Sequence, residues 1–359
     1  MSDWEPLGDS PMSIGILPHS ENEASGHGKW IVRNLSFPDK QSLAFMPVSF
    51  QTVIMHPEKS NRRHFLSQTL AVATTATLLR SQLHAADLAA GSISAGTGKV
   101  RHSVCKWCYK DISLETLCAA AAEIGLESIE LLDPVDFPTM KKHGLHCAMV
   151  SYPSIPGPEG QKIGSIPHGF NRLENHDLLI QAYEPLLKTS AEAGFKKIIC
   201  FSGNRAGMSE KQGLENCAIG LKRLLPLAEQ LGVTLVMELL NSKVNHPDHM
   251  CDHSAWGVAL CEKIGSKHFG LLYDIYHMQI MEGDVIATIR KDHRWFVHYH
   301  TGGVPGRAEI DNTQELQYPA IIRAIQETGY IGFLGQEFIP KRADKLASLK
   351  QAVGICSVA

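Results

Sequence analysis

The sequence predicts an α/β fold, a (β/α)8 TIM barrel over residues 98–359. Three observations predict it. Short β-rich runs alternate with helical patterns eight times between Val100 and Val353. Six of the helical patterns end in a glycine just before the next β-rich run, at Gly125, Gly144, Gly194, Gly232, Gly265 and Gly329, where a left-handed C′ residue is needed. The span is also close to the roughly 250 residues of a typical barrel. Repetition of strand, helix, glycine and strand implies a parallel sheet with right-handed crossovers. An open doubly wound sheet would carry a Gly-rich phosphate loop after its first strand. Gly96-Thr97-Gly98-Lys99 does not supply one, because Val100 follows Lys99 where Ser or Thr is required.

The chain has 359 residues, of which 44% are hydrophobic and 20% charged, enough apolar content for an ordinary packed core. Residues 1–54 show no sustained apolar periodicity and read as disordered or as an upstream extension. Residues 55–91 read differently. Met55 offers a start, Asn61-Arg62-Arg63-His64-Phe65-Leu66 carries a twin arginine, and Thr69 to Leu79 is weakly apolar. Arg80 closes that run, and small residues cluster at Ala85, Ala86, Ala89, Ala90 and Gly91. This resembles a twin-arginine export signal, which implies the translocation machinery as a partner and a periplasmic location. That route carries folded proteins, so a metal could be loaded before export. The apolar run is too short to span a bilayer, which needs about 20 residues.

The expected strands are Val100–Lys106, Ser128–Leu132, His146–Ser151, Lys197–Phe201, Thr234–Leu239, Phe269–Tyr273, Trp295–His300 and Phe333–Phe338. The expected helices are Leu114–Ile124, Phe137–His143, Leu178–Ala193, Lys211–Leu231, Ala255–Ile264, Asp284–Lys291, Pro319–Thr328 and Lys341–Val353. A net charge of -3 without a long basic run argues against nucleic acid as the main partner. Nine cysteines are too few, and too odd a number, for a disulfide-held scaffold.

Barrel enzymes place their chemistry at the C-terminal ends of strands. Four consecutive strands end in a potential metal ligand: Leu235-Val236-Met237-Glu238, Leu271-Leu272-Tyr273-Asp274, Val297-His298-Tyr299-His300 and Leu334-Gly335-Gln336-Glu337. Three carboxylates at one rim repel one another, and without a cation their pKa values would rise. One divalent ion removes that conflict. Three oxygen donors and one imidazole suit Mn²⁺ best, with Mg²⁺, Co²⁺ or Zn²⁺ as alternatives. His277, three residues past Asp274, and Arg307, in the turn-rich loop after His300, belong to the same mouth. Arg offers two parallel donors to adjacent oxygens.

The stretch Tyr273-Asp274-Ile275-Tyr276-His277-Met278-Gln279, continuing through Glu282-Gly283 to Ile289-Arg290-Lys291, resembles the hydroxypyruvate isomerase family of the xylose-isomerase-like barrels. Glu238-Leu239-Leu240-Asn241, Pro305-Gly306-Arg307 and Gly335-Gln336-Glu337 fall where that family has its motifs. The resemblance spans roughly residues 100–350. It implies metal ligation by Glu238, Asp274, His300 and Glu337, with Glu238 and Glu337 as the paired acid and base. It also implies that His277 and Arg307 hold substrate oxygens. One departure is His300, where bacterial hydroxypyruvate isomerases tend to have Gln and the sugar epimerases have His. The expected activity is that of an isomerase or epimerase, moving a proton between adjacent carbons of a 2-hydroxy carbonyl compound or sugar through an enediolate.

Weaker signals surround this constellation. Trp107 and Tyr109 are expected to line the pocket and stack on substrate. Cys105-Lys106-Trp107-Cys108 is a CxxC motif, but it does not open a helix after a thioredoxin-type strand. His246, His249 and His253, with Asp248 and Asp252, offer a second metal site, a lid or a solvated loop. The Pro- and Gly-rich segment 151–175 is long enough to be functional. A hydrolase or nuclease with two or three ions would need further ligands from Glu130, Asp133 and His146. An exported sugar-binding protein without turnover is the third reading. The expected partners are a small sugar or hydroxy-keto acid and, for assembly, at most further copies of the chain as a homo-oligomer.

Overall fold

The computed structural model describes residues 100–358. The extension 1–54 and the twin-arginine segment 55–91 lie outside the described residues.

The chain runs β1 (Arg101–Cys105), α1 (Leu114–Ile124), β2 (Ser128–Glu130), α2 (Phe137–Lys142), a small hairpin of β3 (Ile155–Pro156) and β4 (Lys162–Ile163), then α3 (His176–Ala193). It continues β5 (Lys197–Cys200), α4 (Glu210–Leu231), β6 (Thr234–Glu238), α5 (Ser254–Ile264), β7 (Phe269–Asp274), α6 (Ile275–Met281) and α7 (Val285–Asp292). It ends with β8 (Phe296–Thr301), α8 (Tyr318–Glu327), β9 (Phe333–Gln336) and α9 (Lys345–Cys356). The helix ends follow the local chemistry. At α1 the Ser113 hydroxyl accepts the Thr116 N–H, 3.1 Å away. Gly125 stops the helix at φ +95°, a backbone conformation open to a residue without Cβ. The other five expected stop glycines also have positive φ.

Seven strands form one parallel sheet in the order β2-β1-β9-β8-β7-β6-β5. The eighth stave corrects the expected strand His146–Ser151. It is not a regular strand but a run of isolated parallel bridges, from His146 to Ser128 and from Val150 to both Leu132 and Ile198. The Ser128 hydroxyl accepts the Ala148 N–H at 2.8 Å, replacing a ladder bond with a side-chain bond. Val150 still bonds Lys197 and Ile199 across the gap, so the barrel closes. Most other boundaries shift by only one or two residues, and two differences are larger. The segment after Asp274, where no helix is expected before Asp284, is the helix α6, and the last helix starts at Lys345 rather than Lys341.

Strand alternation sorts the side chains. Leu235, Met237 and Leu239 point out to the helices and join the large core, whereas Val236 and Leu240 join a separate inner cluster with Met149, Ile199, Phe201 and Leu272. Side chains in a strand alternate faces, so Glu238 shares the inward parity of Val236, and Asp274 that of Leu272. Tyr299 lies in the outer core, which leaves His298 and His300 facing in. Leu334 likewise faces out, and Gly335 and Glu337 face in. The fold thus delivers four polar strand ends to one mouth. Among the described residues no helix is long and apolar enough to cross a membrane.

Candidate active site

Glu238, Asp274, His300 and Glu337 meet at the C-terminal mouth, each offering one ligand atom within 4.8 Å of the others. All four are buried. His300 Nδ1 lies 2.7 Å from Glu337 Oε2 and 3.8 Å from Glu238 Oε1. Asp274 divides its two oxygens. Oδ1 caps α6 by accepting the N–H groups of Tyr276 at 2.8 Å and His277 at 3.4 Å. Oδ2 points into the mouth, 2.8 Å from Arg307 Nη2.

Among the described residues, Arg307 is the only arginine that lines this mouth. Nη2 donates to both Asp274 Oδ2 and Glu337 Oε2, and Nε donates to the Glu337 carbonyl at 3.1 Å. The group lies between the rings of Trp107 and Tyr276, 5.1 and 5.2 Å from their centroids, a cation–π geometry. Its backbone is left-handed, with φ +54°, uncommon for a residue with a side chain and typical of functional sites. Trp107 Nε1 donates to Glu337 Oε1 at 2.6 Å.

His277 sits on the first turn of α6, fully buried. The Asn241 N–H donates to its Nδ1 at 3.1 Å. That bond makes Nδ1 the acceptor and leaves the proton on Nε2. Among the described residues Nε2 has no hydrogen-bond partner, and it lies 3.6 Å from Asp274 Oδ2. A buried donor aimed into a polar mouth is a group waiting for an oxygen. Burial and the Arg307 charge hold the His277 ring well below its ordinary pKa, hence neutral.

The three carboxylates do not behave alike. Burial, with the charge of Glu337, pushes Glu238 up. Burial also raises Asp274, to about 8, with Glu337 and Glu238 adding to the rise and Arg307 opposing it. For Glu337 burial is outweighed by Arg307 and His300, which hold it well below the usual range. One guanidinium does not neutralise the set. A divalent cation would, and the donors fit one: three carboxylate oxygens and one imidazole nitrogen, with the orphaned His277 donor beside them.

The mouth opens into a cavity of about 350 Å³, within the range of small-molecule sites. Trp107, Glu238, His246, Arg307 and Glu337 form its polar side, and Leu131, Ile166, Ile199, Phe201 and Leu240 its apolar wall. Ser151 and Tyr152 complete the lining, so the segment 151–175 does contribute to the pocket.

Residues 118–354 match the family described as "Xylose isomerase-like TIM barrel". The chain belongs to that family. Hydroxypyruvate isomerase of Escherichia coli is 24% identical over 229 residues, covering 62% of this chain and 86% of that one. The 2-oxo-tetronate isomerase of Cupriavidus necator is 33% identical over 128 residues, which are 36% of this chain and about half, 47%, of the relative. A solved structure titled AP endonuclease, family 2, from Brucella melitensis superposes with a TM-score of 0.61 at 23% identity, covering 71% of this chain and 99% of that one. That likeness shows the fold alone.

Within this xylose-isomerase-like barrel, seven of the eight expected site residues converge: Glu238, Asp274, His300, Glu337, His277, Arg307 and Trp107. Tyr109 corrects the eighth expectation. It is fully buried, packs edge-on against Phe338 at 6.5 Å, and does not line the cavity. Cys105 and Cys108 are buried free thiols, as are the other seven cysteines, and burial raises both, opposite to what a redox pair needs. Of the three loop histidines only His246 reaches the cavity, its ring 5.4 Å from that of His277. His249 lies 3.1 Å from Ser202 Oγ, and His253 Nδ1 lies 2.7 Å from Asp252, which also binds Arg205. Asp133 and His146 join none of the three potential metal-holding clusters among the described residues. Sequence reasoning missed the cavity wall, above all Tyr152 and Phe201. The inward parity of Phe201, two past Ile199, was the available signal.

Proposed function

We propose that the protein is a divalent-metal-dependent isomerase or epimerase acting on a small 2-hydroxy carbonyl compound or sugar. The convergence of Glu238, Asp274, His300 and Glu337 within 4.8 Å, with both glutamates reaching the cavity, carries this reading. The isomerase names of the relatives point the same way. When bound, a divalent ion, Mn²⁺ first among the candidates, supplies Lewis-acid stabilisation of negative charge on substrate oxygen, worth several kcal/mol.

The chain's own residues do the rest. Glu337, held by Trp107, Arg307 and His300, removes the proton from the carbon bearing the hydroxyl. The electron pair of the broken C–H bond passes into the carbon–oxygen framework, giving an enediolate. Glu238, whose pKa is raised, gives a proton to the adjacent carbon while the hydroxyl proton passes to the former carbonyl oxygen, so that carbonyl and hydroxyl exchange places. In an epimerisation Glu238 instead returns the proton to the same carbon from the opposite face. His277 Nε2–H donates to a substrate oxygen, and Arg307 offers its remaining donors to another. Pairs of titratable groups with pKa values pushed apart make acid and base assignments of this kind. The apolar wall with Tyr152 and Phe201 suits the C–H face of a sugar, and the cavity has room beyond a three-carbon acid.

The test is a panel running from hydroxypyruvate to ketohexoses, incubated in D₂O with each metal in turn. Deuterium should enter at carbon in one substrate and only with metal present. A panel with no incorporation under any metal overturns the reading.

We further propose that residues 55–91 direct twin-arginine export to the periplasm, on the Arg62-Arg63 pair and the small-residue cluster that follows. Replacing both arginines by lysine should retain the protein in the cytoplasm. Unchanged export of that variant would remove the proposal.

A further inference from the structure

Beneath the mouth, inside the barrel, lies a second polar layer that the reaction itself does not use. Glu130, at the end of β2, is fully buried. Its Oε2 lies 2.6 Å from His298 Nε2 and 3.2 Å from His300 Nε2, so one carboxylate oxygen receives two imidazole N–H groups. Both histidines sit on β8, two apart and on the same inward face. A buried carboxylate is costly unless it is paired and hydrogen-bonded, and among the described residues this one is hydrogen-bonded by ring nitrogens.

The neighbouring backbone makes room for it. A Cβ at Gly335 would stand 2.5 Å from Glu130 Oε1 and 2.7 Å from His300 Cδ2. Both distances are below any real contact, so β9 carries no side chain where Glu130 and His300 meet. The consequence reaches the mouth through the imidazole. His300 has two nitrogens: Nδ1 faces Glu337 and Glu238, and Nε2 faces Glu130. A neutral ring with its hydrogen on Nε2 presents a bare Nδ1 lone pair upward, as metal ligation requires.

We propose that Glu130 is a positioning residue for the metal site: it receives the Nε2–H of His300, and so fixes the tautomer and the angle at which Nδ1 meets the ion. His298 is the other anchor of the same carboxylate and keeps it from swinging away. This inference rests on the metal-dependent reading above, but it makes a separate claim, that metal affinity is set partly from below the ligand shell.

The experiment titrates metal-stripped protein with Mn²⁺ by calorimetry. Glu130→Gln should weaken Mn²⁺ binding by about 10–100-fold, the usual effect of losing such a partner. The substrate KM at saturating Mn²⁺ should stay that of wild type, because Glu130 does not face the cavity. In a His300→Gln background the same change should cost nothing more, since the group it orients is gone; a merely structural role would still show a loss there. Glu130→Asp keeps the charge one methylene short and should lose less affinity; it is the variant to measure if Glu130→Gln does not fold. A folded Glu130 variant that binds Mn²⁺ as tightly as wild type overturns this inference and leaves the metal reading standing. Two ions in wild type and one in Glu130→Gln would make Glu130 a ligand and also overturn it. Wild type that binds no ion overturns both.

Discussion

Glu238→Gln and Glu337→Gln should each lower kcat by about 10²–10⁴ at saturating metal, the range expected for one acid or base, while the barrel stays folded. Gln preserves the shape of each side chain and one oxygen donor, so the ion still has an atom to bind. What it removes is the carboxylate's ability to take up and release a proton. The two changes should differ in one respect. Glu337 is held by Trp107 Nε1, Arg307 and His300, and an amide there turns its N–H towards either the Trp107 or the Arg307 donor. Glu337→Gln should therefore also weaken metal binding more than Glu238→Gln, whose nearest ring contact is His300 at 3.8 Å. The double variant should fall little below the worse single one, because residues acting in one step are not additive. Steady-state kinetics across a metal titration, with thermal melting as the fold control, checks all three statements. Near-normal turnover in either single variant would break the two-glutamate scheme.

The candidate site was legible largely because a strand has period two. Once Leu-Val-Met-Glu was read as a strand end, Glu238 had to share a face with Val236, and the same count placed Asp274, His300 and Glu337. The helix stops were legible for a local reason too, since Gly125 and its counterparts adopt a backbone that other residues resist. The third stave was legible in position, at His146–Ser151, but not in its irregularity. Its backbone is held partly by the Ser128 hydroxyl on the neighbouring strand, a bond that no local pattern records. The helix α6 was hidden because Asp274 does two jobs at once, capping the helix with Oδ1 while aiming Oδ2 at the mouth. Trp107 and Tyr109 were read together as pocket residues. They lie two apart in a 3-10 turn spanning Lys106–Tyr109, where side chains three apart, not two, share a face. One therefore reaches the cavity and the other the core. The cavity wall draws on Leu131, Tyr152, Ile166, Phe201 and Leu240, residues brought together only by closure of the barrel.

Arg307→Leu should destabilise the metal-free protein strongly and the metal-loaded protein much less. Arg307 is buried, and its guanidinium donates to Asp274 and Glu337 at once. Removing one partner of a buried ion pair costs about 3–5 kcal/mol, because the other charges are left uncompensated. For a domain of this size that is a fall in Tm on the order of 10 °C. A divalent cation bound by the same carboxylates returns positive charge to the same place, and ligand present at a thousandfold excess over its Kd contributes about 4.1 kcal/mol. Wild type gains from metal as well, but there the ion shares Asp274 and Glu337 with the guanidinium. The rise in Tm on adding Mn²⁺ should therefore be larger in Arg307→Leu than in wild type. Arg307→Lys, which keeps the charge but loses the two-pronged donor geometry, should fall between them. Turnover should stay low in Arg307→Leu even when its stability has recovered, since Glu337 then lacks the group that orients it. Equal metal-induced shifts in the two proteins would mean that ion and guanidinium act on different oxygens, and the electrostatic account of this mouth would have to be rebuilt.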